Sequence, residues 1–188
     1  MSTRFPEELM VDLRGDNPRG LRFVVDVANA YRNDSTLPID AFQELVDRHT
    51  APGTALPSRG DAAELHAAID DIVGILAAQE PDAAARRINA TLNRYPAHPH
   101  LVQLPGRPWS MHLRSDTTNR AQWFASTAAF ALGLWLSEKG SCAWGTCEAP
   151  GCDDFFIDSG RRAPQRYCTP RCATRARVAN HRLKHSAG

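Results

Sequence analysis

Four cysteines near the end of the chain constrain this sequence more than any other feature: Cys147 and Cys152, then Cys168 and Cys172. Two close pairs separated by enough chain for a β-hairpin are the arrangement that a tetrahedral Zn²⁺ needs, and thiolates suit its borderline-soft character. A fifth cysteine, Cys142, stands five residues before Cys147, so spacing alone leaves Cys142–Cys147 open as the first pair. We favour Cys147 and Cys152, because "APGC" supplies a glycine for a tight turn and an apolar strand follows directly. Four sulfurs close the coordination shell, so the expected metal is one structural zinc per chain and not a catalytic ion with an open position.

The segment between the pairs supports that unit. "DDFFID" is strand-like at Phe155, Phe156 and Ile157, "SGRRAPQ" contains turn formers, and "RYC" returns the chain to the second pair, so a hairpin is expected between them. Thr169 and Pro170 then open a helix. Knuckle, hairpin and helix form a treble-clef-like finger over residues 142–188. A unit this small folds on metal more than on burial, with structural zinc contributing an apparent ~10–16 kcal/mol.

Charge separates this finger from the rest. The whole chain carries a formal +1, yet residues 142–188 hold eight Arg or Lys against four Asp or Glu, and everything after Asp158 is free of acidic side chains. Such asymmetry is the electrostatic footprint of a polyanion partner. On a helical wheel from Arg171, Cys172, Ala176, Ala179 and Leu183 share one stripe, while Arg171, Arg175 and Arg182 line a flank and Arg177, His181 and Lys184 lie opposite. Arg161, Arg162, Arg166, Arg171, Arg175, Arg177, Arg182 and Lys184 are therefore the candidate phosphate contacts, with Asn180 a candidate adenine reader.

Residues 1–141 read as one mostly helical domain. Helical periodicity is expected over 20–33, 40–49, 61–79 and 82–95, with Asp40 positioned as a cap of the second, and over a long apolar helix that Thr117 or Thr118 caps and Gly140 ends. Between Pro96 and Arg114, alternation around "PGRP" predicts a short hairpin with Trp109 and Met111 turned inward. The fold class is thus mostly α (α+β): a helical N-terminal domain with a small β-hairpin, then the zinc finger.

Several function classes find no support. The amino end lacks a secretory h-region, the stretch 124–137 is too short to span a bilayer, and the cysteine pattern suits a reducing compartment, so a cytoplasmic protein without a membrane partner is expected. G-x-S-x-G, P-loop, G-x-G-x-x-G and H-E-x-x-H patterns are missing, so no enzyme is expected. His98, His100 and His112 lie close enough in sequence for a second metal site, although Pro-flanked histidines beside a hairpin are more often surface residues. Asp26 and Asn29, polar positions within an apolar helix, are the candidate ligand-pocket residues; with His112 they would also be the candidates if the helical domain were an enzyme.

The stretch 147–182 resembles the CGNR zinc finger of bacterial proteins. Phe156, Asp158, Ser159, Arg166, Tyr167, Cys168, Cys172 and Arg175 fit that pattern, but Cys172-Ala173-Thr174-Arg175 stands where the family has C-G-N-R, which removes the family's Asn at position 174. Upstream, "RFVVDVANAYR" is similar to the opening signature of the ABATE domain, a family associated with stress-induced transcription regulation, with Asp26 and Asn29 at its polar positions. The resemblance implies a regulatory N-terminal domain, sensing a small-molecule effector or forming a homodimer, joined to a finger that binds double-stranded DNA in the nucleoid. A zinc-stabilised RNA-binding module is the alternative.

Overall fold

The computed structural model describes residues 18–49, 57, 59–103, 109–114, 119–158 and 164–186. Four helices come first: α1 (Pro18–Asn33), α2 (Ile39–His49), α3 (Ala62–Ala77) and α4 (Pro81–Arg94). A hairpin of β1 (His98–Gln103) and β2 (Trp109–Arg114) leads into α5 (Arg120–Lys139). Two short strands, β3 (Trp144–Thr146) and β4 (Phe155–Ile157), then precede α6 (Pro170–Ser186). Among the described residues, no helix is long and apolar enough to cross a membrane.

Helix ends follow local chemistry. Asp61 Oδ1 accepts from the Glu64 amide at 2.8 Å and so satisfies one of the orphan donors that open α3. Pro81 occupies the first turn of α4, where a missing N–H costs nothing. Gly140 closes α5 at φ +66°, a left-handed cap that a side chain would strain. The cap at the start of α5 departs from expectation: Thr117 and Thr118 lie outside the described residues, and Asn119 accepts from the Gln122 amide at 3.1 Å.

Helix α5 is the central element. Ala125, Ala128, Ala129 and Ala131 are buried along it, and such small side chains let α3 and α4 approach closely. Phe23, Phe42 and Phe124 interlock edge to face, with ring centroids 5.8 and 5.6 Å from Phe124. Trp144 and Phe155, from β3 and β4, are buried in this same core, and the Trp144 indole donates to the Ala78 carbonyl at 3.2 Å. The last part of the chain is therefore rooted in the helical body.

The β1–β2 hairpin forms with antiparallel register as the alternation implies, but its polarity is inverted. Trp109 is 63% exposed and Met111 41%, so neither points inward. Among the described residues the core is formed by α1 to α5 together with Trp144 and Phe155, and no residue of this two-stranded ribbon belongs to it.

Candidate metal centre and nucleic-acid interface

Strands β3 and β4 pair antiparallel from Trp144 opposite Ile157 to Thr146 opposite Phe155, and the first cysteine pair sits in the connection between them. The Cys147 amide donates to the Asp154 carbonyl at 2.8 Å and the Cys152 amide to the Ala149 carbonyl at 3.0 Å. Gly151, at φ +67°, makes the tight turn that brings the two thiols to one side. This corrects the expected pairing: the partner of 155–157 is the segment before the knuckle and not the "RYC" return. Trp144 draws that segment into the core, whereas Pro164 has no N–H to give to a ladder. The return segment is held instead by the Glu148 amide on the Arg166 carbonyl and the Gln165 amide on Asp158 Oδ2.

The second pair is presented by the start of α6. Thr169 is its cap, with Oγ1 accepting from the Cys172 amide at 3.2 Å, and Cys172 and Ala176 are buried on the face turned to the knuckle. Cys147, Cys152, Cys168 and Cys172 place their sulfurs within 4.8 Å of one another. The Cys152–Cys168 and Cys168–Cys172 separations are 3.7 and 3.5 Å. A disulfide requires about 2.05 Å, whereas four thiolates about 2.3 Å from one tetrahedral Zn²⁺ lie roughly 3.8 Å apart. The donor set therefore fits one structural zinc ion. Cys142 is partly buried against the helical core, apart from this cluster, which decides between the two candidate first pairs.

Electrostatics around the sulfurs are uneven. The Thr169 hydroxyl lowers the Cys172 thiol to about 7, and the Arg175 guanidinium donates to Cys172 Sγ at 3.3 Å. Burial pushes the Cys152 and Cys168 thiols up, and the neighbouring sulfurs push Cys168 further. The Asp154 carboxylate, which sequence reasoning missed, accepts from both of these thiols at 3.5 and 3.7 Å. Raised thiols hold protons near neutrality, and a zinc ion must displace them. Zinc affinity should therefore fall as pH falls from 8 to 6, with protons released on loading; titration in a weakly buffered indicator solution measures both.

Two family models match the chain: residues 144–185 fit the CGNR zinc finger, and residues 24–137, more than half of the chain, fit the family described as "Putative stress-induced transcription regulator", ABATE. The chain belongs to the ABATE family. Its carboxyl-terminal unit is a CGNR zinc finger carrying Cys-Ala-Thr-Arg in place of the naming motif. No curated protein matches the chain.

Several of the candidate basic residues in this ABATE chain have work inside the finger. Arg166 forms a salt bridge to Glu148, which holds the Glu148 carboxyl below its ordinary range, and its guanidinium lies 5.8 Å from the Tyr167 ring. Arg175 is engaged by the Cys172 sulfur. Thr174, at the position of the family's Asn, gives its hydroxyl to the Pro170 carbonyl at 3.1 Å. Arg171, Arg177, Asn180 and Arg182 are exposed along α6. Arg161 and Arg162 lie outside the described residues, as does the side chain of Lys184.

Asp26 and Asn29 both border a cleft of about 780 Å³ between α1 and the finger, lined also by Arg22, Arg166, Tyr167 and Thr169. Asp26 is half-buried and pairs with His49 Nε2 at 2.8 Å. Asn29 clasps one residue of β4: its Oδ1 accepts from the Phe155 amide at 2.8 Å, and its Nδ2 donates to the Phe155 carbonyl at 3.0 Å. Arg32 continues that contact, with Nη2 2.7 Å from Asp153 Oδ2 and its guanidinium 4.6 Å above the Phe155 ring. Asn29 and Phe155 lie 126 positions apart in sequence, so only the fold brings them together.

Proposed function

We propose that this chain is a non-enzymatic transcription regulator whose finger, residues 142–188, binds double-stranded DNA through α6, while residues 1–141 form its regulatory domain. The observation that carries this reading is α6 itself: one narrow face buried at the metal centre, and Arg171, Arg177, Asn180 and Arg182 exposed on a helix long enough for a major groove. The closed four-sulfur shell favours a scaffold over a hydrolytic centre. Membership of a family described as transcription regulators agrees with it.

Most of the affinity comes from phosphate neutralisation, with Arg161, Arg162 and Lys184 adding to the α6 arginines. One finger offers few base contacts, so specificity requires a second copy or another DNA-binding partner. A small-molecule effector would sit in the cleft between α1 and the finger, beside Asp26 and Asn29. A DNA-bound protein of this kind belongs with the nucleoid in the cytoplasm.

The double variant Arg171→Ala, Arg177→Ala tests this reading. It should weaken duplex DNA binding and reduce the slope of log affinity against log salt by about two, one for each phosphate that is no longer neutralised. Fluorescence anisotropy at several salt concentrations measures it. An unchanged slope, or an A-form RNA duplex that outcompetes DNA at matched salt, refutes the DNA reading.

A further inference from the structure

The register of the β1–β2 ribbon pairs Pro99 with Leu113, Leu101 with Met111 and Gln103 with Trp109, and alternation along each strand puts these six side chains on one face. None of the six is charged. Four large hydrophobic residues are exposed among the described residues, and three of them meet here: Leu101 at 61%, Trp109 at 63% and Met111 at 41%. Pro99 and Gln103 are exposed beside them, and Leu113 is half-buried. A two-stranded ribbon is marginal by itself in water and is stabilised by further strands or by packing on another layer. The main core does not supply that layer, since no described residue of the ribbon belongs to it.

We propose that this face is where a second copy of the chain docks, ribbon against ribbon about a two-fold axis. Area supplies the first reason. The exposed fractions of Leu101, Trp109 and Met111 leave roughly 350 Å² of apolar surface open on each copy. About three-fifths of an interface is apolar, so a pair of such faces corresponds to a total buried area of roughly 1,200 Å². That clears the about 1,000 Å² a specific contact needs and lies at the lower edge of the standard size, as suits a concentration-dependent dimer. Self-complementarity supplies the second reason. A two-fold contact sets each surface against its own copy, where a charge near the axis would face its like. The uncharged strip of Leu101, Trp109 and Met111 carries no such penalty, and interface centres are enriched in tryptophan and methionine. Two ribbons stacked about 10 Å apart give each other the second layer. The dimer supplies the second copy that the DNA-binding reading requires, but it stands on the ribbon alone, so either can fail without the other.

Sedimentation velocity on the full zinc-loaded chain, over about 1 to 200 μM, should show a monomer–dimer equilibrium. An apolar contact persists in about 1 M salt, where exposed charges are screened. Trp109→Asp and Leu101→Asp should each raise the dissociation constant roughly tenfold or more, with circular dichroism and zinc content unchanged. Val178→Asp, at the exposed hydrophobic residue of α6, should leave it as in the wild type. Trp109 should also become shielded from acrylamide as the dimer forms, read as the difference in quenching between the wild type and Trp109→Phe. The proposal is overturned if the chain is monomeric throughout or if high salt dissociates the pair. It is equally overturned if both ribbon variants associate as the wild type does, or if Val178→Asp dissociates the pair while they do not.

Discussion

Replacing Cys168 with Ser should remove the zinc and melt α6 while leaving the helical body folded. Buried contacts between α6 and the knuckle are few and small: among the described residues, Cys147, Ala149, Cys172 and Ala176 form that cluster. Burial of this size cannot hold a 17-residue helix, and such a helix is marginal by itself in water. Zinc ligation, at an apparent ~10–16 kcal/mol, supplies the missing stability. Strands β3 and β4 behave differently, because Trp144 and Phe155 belong to the main core. The variant should thus lose its metal and the helical ellipticity that 17 residues carry, with the main thermal transition of the body little changed. Cys142→Ser, outside the cluster, should keep one zinc per chain. Circular dichroism and metal analysis on the two variants decide the matter, and retention of zinc by the Cys168 variant would contradict it.

A second large effect is expected at Asn29. Its side chain satisfies both the amide and the carbonyl of Phe155, so Asn29→Ala leaves a donor and an acceptor unpaired at the seam between α1 and β4. Each unsatisfied group costs on the order of 1–3 kcal/mol, so a loss of about 2–6 kcal/mol is expected. For a chain of this size that lowers Tm by roughly 5–15 °C. Asn29→Asp keeps the acceptor and removes the donor, and should fall between the two. Zinc content should not change in either variant, since the knuckle amides and the α6 cap orient the ligands without help from Asn29. A melt of Asn29→Ala that matches the wild type would remove Asn29 from the seam.

Elements governed by neighbouring residues are legible in the sequence, and those governed by distant ones are not. Pro81 and Gly140 mark helix ends by chemistry confined to one turn, and both act as their residue types imply, whereas Asp40, expected as a cap, lies inside the first turn of α2, which opens at Ile39. The cysteine pairs are equally legible, since zinc ligation depends on two short spacings and a soft donor. The strand partner of Phe155–Ile157 is not, because a burial event involving Trp144 and α3 chooses it. Trp109 and Met111 mislead for a related reason: alternation reports which residues share a face, but whether anything covers that face depends on the other layer. Asn29 reads as a ligand contact because a polar residue within an apolar helix needs a partner. Its partner is the backbone of a residue 126 positions away. The basic residues divide in the same manner. All five described arginines of this region are exposed, but Arg166 and Arg175 are also engaged by Glu148 and by the Cys172 sulfur, contacts that their spacing does not announce.

The central claim, that zinc fixes α6 as a DNA-binding surface, is tested most directly by one anisotropy titration of a labelled duplex with zinc-loaded and with chelator-stripped protein at matched salt. The zinc-loaded chain should bind, with affinity falling steeply as salt rises, and the stripped chain should lose most of that binding and regain it when zinc is restored. Equal binding by the two forms, or no binding by the zinc-loaded form at low salt, would contradict it.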